Sequence, residues 1–220
     1  MRNGIVCSSP RAASPCLSMV DGERYRLFVA LAVPDDVKDK MEAARADLRR
    51  VLPDRNVRWA RPEQFHLTLR FLGDVEVGRA EALTEAIRAA CAGFGALHLR
   101  AERIGCFPER GYPRVVWVGV RDEAEQLPRL QQRVESATAG FTSQAKEERF
   151  TGHLTLGRIK GIKQPEAEAL GKATAGMAGR FFGQWTACQI ELMRSELLPQ
   201  GAQHTSLASI ALAALPAELA

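Results

Sequence analysis

No stretch of this 220-residue chain is apolar for long enough to cross a bilayer as a helix, which takes roughly 18 consecutive residues. A membrane is therefore not an expected partner. Nor does one sign of charge dominate: 30 Lys and Arg stand against 26 Asp and Glu, a net +4. That is too mild for a protein that coats long nucleic acid, whose signature is a dense basic patch. Cysteine is sparse and unpatterned. Its five positions, Cys7, Cys16, Cys91, Cys106 and Cys188, are odd in number and include no C-x-x-C. This argues against both a disulfide framework and a cysteine-rich zinc site. Reduced thiols in a cytoplasmic protein are expected. The opening MRNGIVCSSPRAASPCLSMVDGER lacks the apolar centre of a secretory signal. Residues 1–23 are expected to form a flexible leader rich in Ser, Ala, Pro and Arg, with Met19 as an alternative start. A G-x-S-x-G nucleophile elbow is missing as well.

What is present is a globular composition, 46% hydrophobic and 25% charged. YRLFVALAV (25–33) predicts a strand stopped by Pro34, and residues 34–52 carry apolar positions at helical spacing as far as Pro53. Strands follow at VRWA (57–60) and QFHLTLRFLG (64–73), then a second helix over 76–93 closed by glycine. Residues 97–107 and 114–120 predict strands around the turn-forming PERGYP, and 122–139 a third helix. A second HLTL strand comes next, then a weaker helical stretch near 165–178 and long strands at 181–194 and 203–213. Strand pairs recur with no helix between them, which predicts an α+β fold of largely antiparallel sheets. Each half of the chain offers about two helices and three or four strands. The economical expectation is one duplicated, two-lobed domain over 24–213, helices on the outer face of each sheet, with a short tail at 214–220.

The chain has four histidines, His66, His98, His153 and His204, and two of them open identical tetrapeptides. HLTL occurs at 66–69 and again at 153–156, 87 positions apart. Strand alternation puts Gln64, His66, Thr68 and Arg70 on one face and Phe65, Leu67, Leu69 and Phe71 on the other. In the second copy Thr151, His153 and Thr155 share a face, while Leu154 and Leu156 point away. Each motif thus sets an imidazole and a hydroxyl roughly 6.8 Å apart on a rigid strand. Both copies also sit in locally basic surroundings, Arg55, Arg58, Arg61 and Arg70 near the first, Lys146, Arg149, Arg158, Lys160 and Lys163 near the second.

Two such pairs facing one cleft suit displacement at phosphorus. Histidine titrates near neutrality and serves as general base or general acid. Threonine hydroxyls donate to phosphate oxygens as their charge develops. One histidine would activate water and the other protonate the departing alkoxide; the residues alone do not say which. A lone strand histidine is commonly structural, but the repetition of H-x-T-x argues against coincidence. Zinc would need a third ligand, and neither motif supplies one at helical or hairpin spacing. No metal and no cofactor are expected. His98, alternating within ALHLRAE, is expected on a strand surface.

These residues resemble the two-histidine (2H) phosphoesterase superfamily, and within it the bacterial RNA 2′,3′-cyclic phosphodiesterases, also called 2′-5′ RNA ligases. The likeness runs over most of 24–213: RLFVALAVP, RWARPEQFHLTLRFLGDV, RVVWVGV, RFTGHLTLGRIK and SELLPQGAQHTSLASIAL. It implies metal-independent hydrolysis of an RNA 2′,3′-cyclic phosphate to a 2′-phosphomonoester. By the resemblance, His66 protonates the 3′ leaving oxygen, His153 activates water, and Thr68 and Thr155 hold the phosphate. RNA ends or small cyclic nucleotides are the implied partners, and a monomer the implied state. Alternatives are a 2′-5′ ligase or phosphodiesterase on a related small substrate, and a module that binds RNA ends without chemistry. The chain departs from the family pattern at Gly152, where proline is common, and at His204, where tyrosine is usual. Gly152 is expected to loosen the entry to its strand. Arg158 recurs in relatives, but simple alternation puts it on the Leu154 face and so outside the site.

Overall fold

The computed structural model describes residues 22–147, 149–199 and 201–212. Apart from Gly22 and Glu23, the expected leader lies outside the described residues, as do Met19 and the tail at 214–220. The chain opens with strand β1 (Arg24–Ala32) and helix α1 (Asp35–Val51). That helix shows why local chemistry suffices to build it. Asp35 and Asp36 lie at its positive end, Arg49 and Arg50 at its negative end, and Val37, Met41, Ala44 and Leu48 form its buried stripe. It stops just short of Pro53, which disfavours helix in the residue before it. Then come β2 (Val57–Trp59), β3 (His66–Glu76), α2 (Ala80–Cys91), β4 (Leu97–Phe107), β5 (Val115–Asp122), α3 (Gln126–Thr138), β6 (His153–Ile159), α4 (Gln164–Gly176), β7 (Phe181–Ala187), β8 (Gln189–Leu198) and β9 (Gly201–Ala211). Short 3₁₀ turns at Pro62–Gln64, Val77–Arg79 and Ala139–Phe141 join some of them.

The sheet runs β7-β4-β5-β6-β3-β1-β8-β9, with β2 added on β6. Every ladder among the described residues is antiparallel, as expected for an α+β chain. The join at its middle is slight: β3 and β6 pair only at Leu67 and Leu154. The sheet therefore curls into two lobes that part on either side of this contact. One lobe holds β3, β1, β8 and β9, backed by α2 and α3; the other holds β6, β5, β4 and β7, backed by α1 and α4. Leu27, Val29 and Leu31 of β1, Leu67 and Leu69 of β3, and Leu154 and Leu156 of β6 all face the core. Among the described residues no helix is long and apolar enough to cross a membrane.

Two features differ from the sequence reading. The lobes are not the halves of the chain, because α1 packs on β7 of the opposite lobe and the strands after β7 return to β1. The single strand expected at 181–194 is two. β7 pairs with β4, and β8 pairs with β1, so the chain crosses between lobes at Cys188. No glycine or proline stands at that break, and only the identity of the pairing partners creates it.

Candidate active site

The Leu67–Leu154 contact is the axis of the site. Continuing its antiparallel register sets His66 opposite Thr155 and Thr68 opposite His153, so each imidazole faces the threonine of the other motif. The two histidines become diagonal neighbours across that contact, a spacing of about 7–8 Å in a regular ladder and somewhat less between Cβ atoms. All four residues line one cleft of about 460 Å³. The leucines between them are fully buried and fix both strands to the core.

Immediately after each H-x-T the ladder slips. Val29 pairs with Arg70 and Ala30 with Thr68, leaving Leu69 as an extra residue in β3. Val116 pairs with Gly157 and Trp117 with Thr155, leaving Leu156 extra in β6. The same leucine of each HLTL is thus a β-bulge, and a bulge inverts the alternation beyond it. In β3 this corrects the expected placement of Arg70 and Phe71. Arg70 turns inward, 7% exposed, and Phe71 lines the cleft. In β6 it brings Arg158 into the cleft, where simple alternation excluded it. The missed signal is a bulge, which leaves no mark in a hydrophobic pattern when the extra residue is itself a buried leucine.

Arg70 has a structural task instead. Its guanidinium donates to Glu135 at 2.6 Å and to the carbonyls of Gln144 and Ala145 at 2.9 and 2.8 Å. Glu135 also accepts from the Glu147 backbone at 2.8 Å. This buried pair ties β3, α3 and the segment leading into β6 together. The carbonyl of Thr151, at the end of that segment, accepts a hydrogen bond at 2.8 Å from His153 Nδ1. A carbonyl only accepts, so Nδ1 carries the proton and Nε2 of the neutral ring keeps its lone pair. Gly152 does not loosen this entry. A Cβ there would come 2.6 Å from the Val120 carbonyl, and the glycine lets β6 close against β5.

His66 stands in a cluster of rings. Phe28 lies 4.7 Å from it between centroids, and His204 contacts both Phe28 at 5.0 Å and His66 at 5.1 Å. His153 meets Phe107 edge-on at 5.2 Å. Burial, followed by the neighbouring His204 and with smaller contributions from His153 and Arg158, lowers His66 from 6.5 to about 4, against a raising influence from the Gln64 backbone. His153 is also lowered, chiefly by burial and further by Arg158, while its bond to Thr151 opposes the shift. Burial and Arg61 lower His204. Arg26, Arg58 and Arg158 line the cleft, and among the described residues no Asp or Glu does. No three described His, Cys, Asp or Glu side chains gather as a metal site. His98 is exposed, its Nδ1 3.1 Å from the Thr186 hydroxyl, and it does not line this cleft.

Fold and cleft together define the class of two-histidine phosphoesterases. The chain belongs to one family within it: the pattern described as LigT like Phosphoesterase matches residues 31–117 and again 118–203. Each match begins 35 residues before its motif histidine, so the repeat seen in HLTL is a repeat of the whole unit. The chain is 33% identical over 184 residues to an RNA 2′,3′-cyclic phosphodiesterase of Archaeoglobus fulgidus, covering 83% of this chain and 97% of that one. It is 29% identical to one from Methanothermobacter thermautotrophicus, with 84% and 97% covered. A solved structure from Thermus thermophilus superposes with a TM-score of 0.68 at 26% identity, over 85% of this chain and 97% of the other. Escherichia coli LigT complexed with 3′-AMP shares the fold, with a TM-score of 0.67 at 24% identity over 86% and 99%.

Proposed function

We propose that this protein is a phosphodiesterase that hydrolyses RNA 2′,3′-cyclic phosphate ends to 2′-phosphomonoesters, with His66 and His153 as catalytic acid and base. The observation that carries the reading is the pair of H-x-T-x strands, whose two imidazoles and two hydroxyls line one cleft together with Arg26, Arg58 and Arg158. The relatives named as RNA 2′,3′-cyclic phosphodiesterases support the substrate. His153 suits the base, because its Nδ1 proton is committed to Thr151 and Nε2 is free to take a proton from water. The hydroxide oxygen bonds to phosphorus, the P–O3′ bond breaks, and His66 gives its proton to the 3′ oxygen. The product carries a 2′-phosphate and a 3′-hydroxyl. The Thr68 and Thr155 hydroxyls and the Arg158 guanidinium hold the non-bridging oxygens as their charge grows. The acid must be charged to act, and the bound phosphate anion restores to His66 the proton that burial disfavours. The same reading makes the protein a cytoplasmic monomer acting on chain ends and places the domain at 24–213.

The test is turnover of an oligonucleotide ending in 2′,3′-cyclic phosphate, in the presence of a chelator. His66→Ala and His153→Ala each lower kcat by about 10²–10⁴, the range of general acid–base catalysis, with the fold retained by circular dichroism. Undiminished turnover in both variants, or tight salt-sensitive binding with no turnover in the wild type, would contradict it.

A further inference from the structure

Each motif histidine leans on a backbone carbonyl two residues upstream, and the two carbonyls are held in different ways. Gln64 ends a 3₁₀ turn that holds itself. Its backbone N–H donates to the Arg61 carbonyl at 2.8 Å, Phe65 donates to the Pro62 carbonyl at 3.1 Å, and the Gln64 side chain accepts from the Arg61 N–H at 2.8 Å. Thr151 has no such turn. Among the described residues of 142–152 there is no helix or strand, and the backbone of β5 grips this segment at Gly152, whose carbonyl accepts from Val120 at 2.9 Å. That bond fixes the downstream side of the Thr151–Gly152 peptide. The upstream side must be held from elsewhere.

The holder is Arg70. Its guanidinium donates to the carbonyls of Gln144 and Ala145, and its partner Glu135 accepts from the backbone N–H of Glu147. The segment is thus pinned by the residue that directly follows the first HLTL. Between this clamp and the second histidine lies a cavity of about 290 Å³, with Thr68, Arg70, Gln144, Glu147, Phe150 and His153 in its walls. Close packing would fix the segment without help, but a cavity beside it leaves it room to shift. The polar clamp therefore carries the constraint. The second repeat has no counterpart. Gly157 follows its HLTL, and its arginine, Arg158, comes one place later and lines the cleft. After a bulge, that single place decides whether an arginine holds backbone or faces the cleft.

We propose that Arg70, together with Glu135, is a positioning residue for His153: the first motif holds the segment whose Thr151 carbonyl keeps the second motif's imidazole in its Nδ1–H form, with the lone pair on Nε2. This inference rests on the proposed role of His153 as base and names what keeps it in that role. Arg70→Met combined with Glu135→Leu removes the clamp without stranding a buried charge, so the variant folds with close to wild-type stability. The neutral pair Arg70→Gln, Glu135→Gln, too short to reach both carbonyls, tests the same loss in a second background. Ring-nitrogen NMR of His153 at neutral pH shows the Nδ1–H tautomer in the wild type and a mixture of the two tautomers in both variants. On the cyclic-phosphate oligonucleotide, kcat falls by about ten- to a hundred-fold, the worth of a small misplacement of a catalytic group. KM stays within about two-fold, because Thr68, Thr155 and Arg158 are untouched. The bond to Thr151 raises His153, so its loss moves the limb of the kcat/KM profile that His153 governs to lower pH. If the folded variants keep the wild-type tautomer or the wild-type kcat, or if the loss falls wholly on KM, the positioning role is overturned and the proposed activity stands. If the wild type turns over no cyclic phosphate, yet His153 loses its fixed tautomer when the clamp is removed, the activity fails and the tie between the motifs stands.

Discussion

At the scale of single residues, the two histidines are alike in motif and unlike in surroundings. Both take a backbone partner two residues upstream, Thr151 for His153 and Gln64 for His66. Only His66 has a second histidine against its ring. With both rings held below their ordinary value, the doubly productive form, one charged and one neutral, is most populated on the acid side of pH 6.5. The kcat/KM profile is therefore bell-shaped with its maximum below pH 6.5, and a maximum at pH 7 or above would contradict the geometry. Arg158 pushes both histidines down, so Arg158→Gln moves the whole bell toward neutrality while lowering its height. His204→Phe keeps the ring packing, removes a charge beside His66, and shifts upward the limb that His66 governs. Steady-state rates across pH 4 to 9 read all three.

At the scale of elements, the decisive objects are the two bulges. The hydrophobic pattern makes the strands, the core leucines and the histidine faces legible, because burial of one face imposes a period of two. It does not show that Leu69 and Leu156 each occupy a position with no partner. A bulge is a property of two strands, and its sequence record here is one more leucine in a run of leucines. Hence simple alternation assigns Arg70 to the cleft and keeps Arg158 out of it, the reverse of the structure. The inward turn of Arg70 has a measurable cost of removal. Arg70→Met leaves Glu135 buried and unpaired and destabilises the fold by about 3–5 kcal/mol. The double variant Arg70→Met, Glu135→Leu recovers most of that in chemical denaturation, since no buried charge remains. A single variant with wild-type stability would show that the pair does not hold the segment before β6.

At the scale of the whole molecule, the cleft is assembled from two lobes that exchange their helices, and its histidines sit partly buried between them. That burial links the site to acid stability. His66 binds its proton with a value of 6.5 when unfolded and about 4 when folded. The unfolded chain thus holds more protons between those values, and stability rises with pH across that window. The contribution is fully present above pH 6.5 and is lost as pH falls toward 4, on the order of 3 kcal/mol for this group. His153 and His204, lowered in the same direction, steepen the slope. The midpoint of urea unfolding falls between pH 7 and pH 4, and His66→Gln makes that fall shallower; an unchanged slope would place the imidazole in water.

The sequence by itself determined the elements, the antiparallel class and the duplicated half-site. These follow from local periodicity and from a motif repeated 87 residues apart, which the chain carries without reference to its fold. Only the tertiary structure decided which lobe each helix covers, where the run at 181–194 breaks, and which arginine lines the cleft. Each of those depends on which strand lies alongside which. Pairing across more than a hundred residues is fixed by the packing of the whole core, and no local pattern records it.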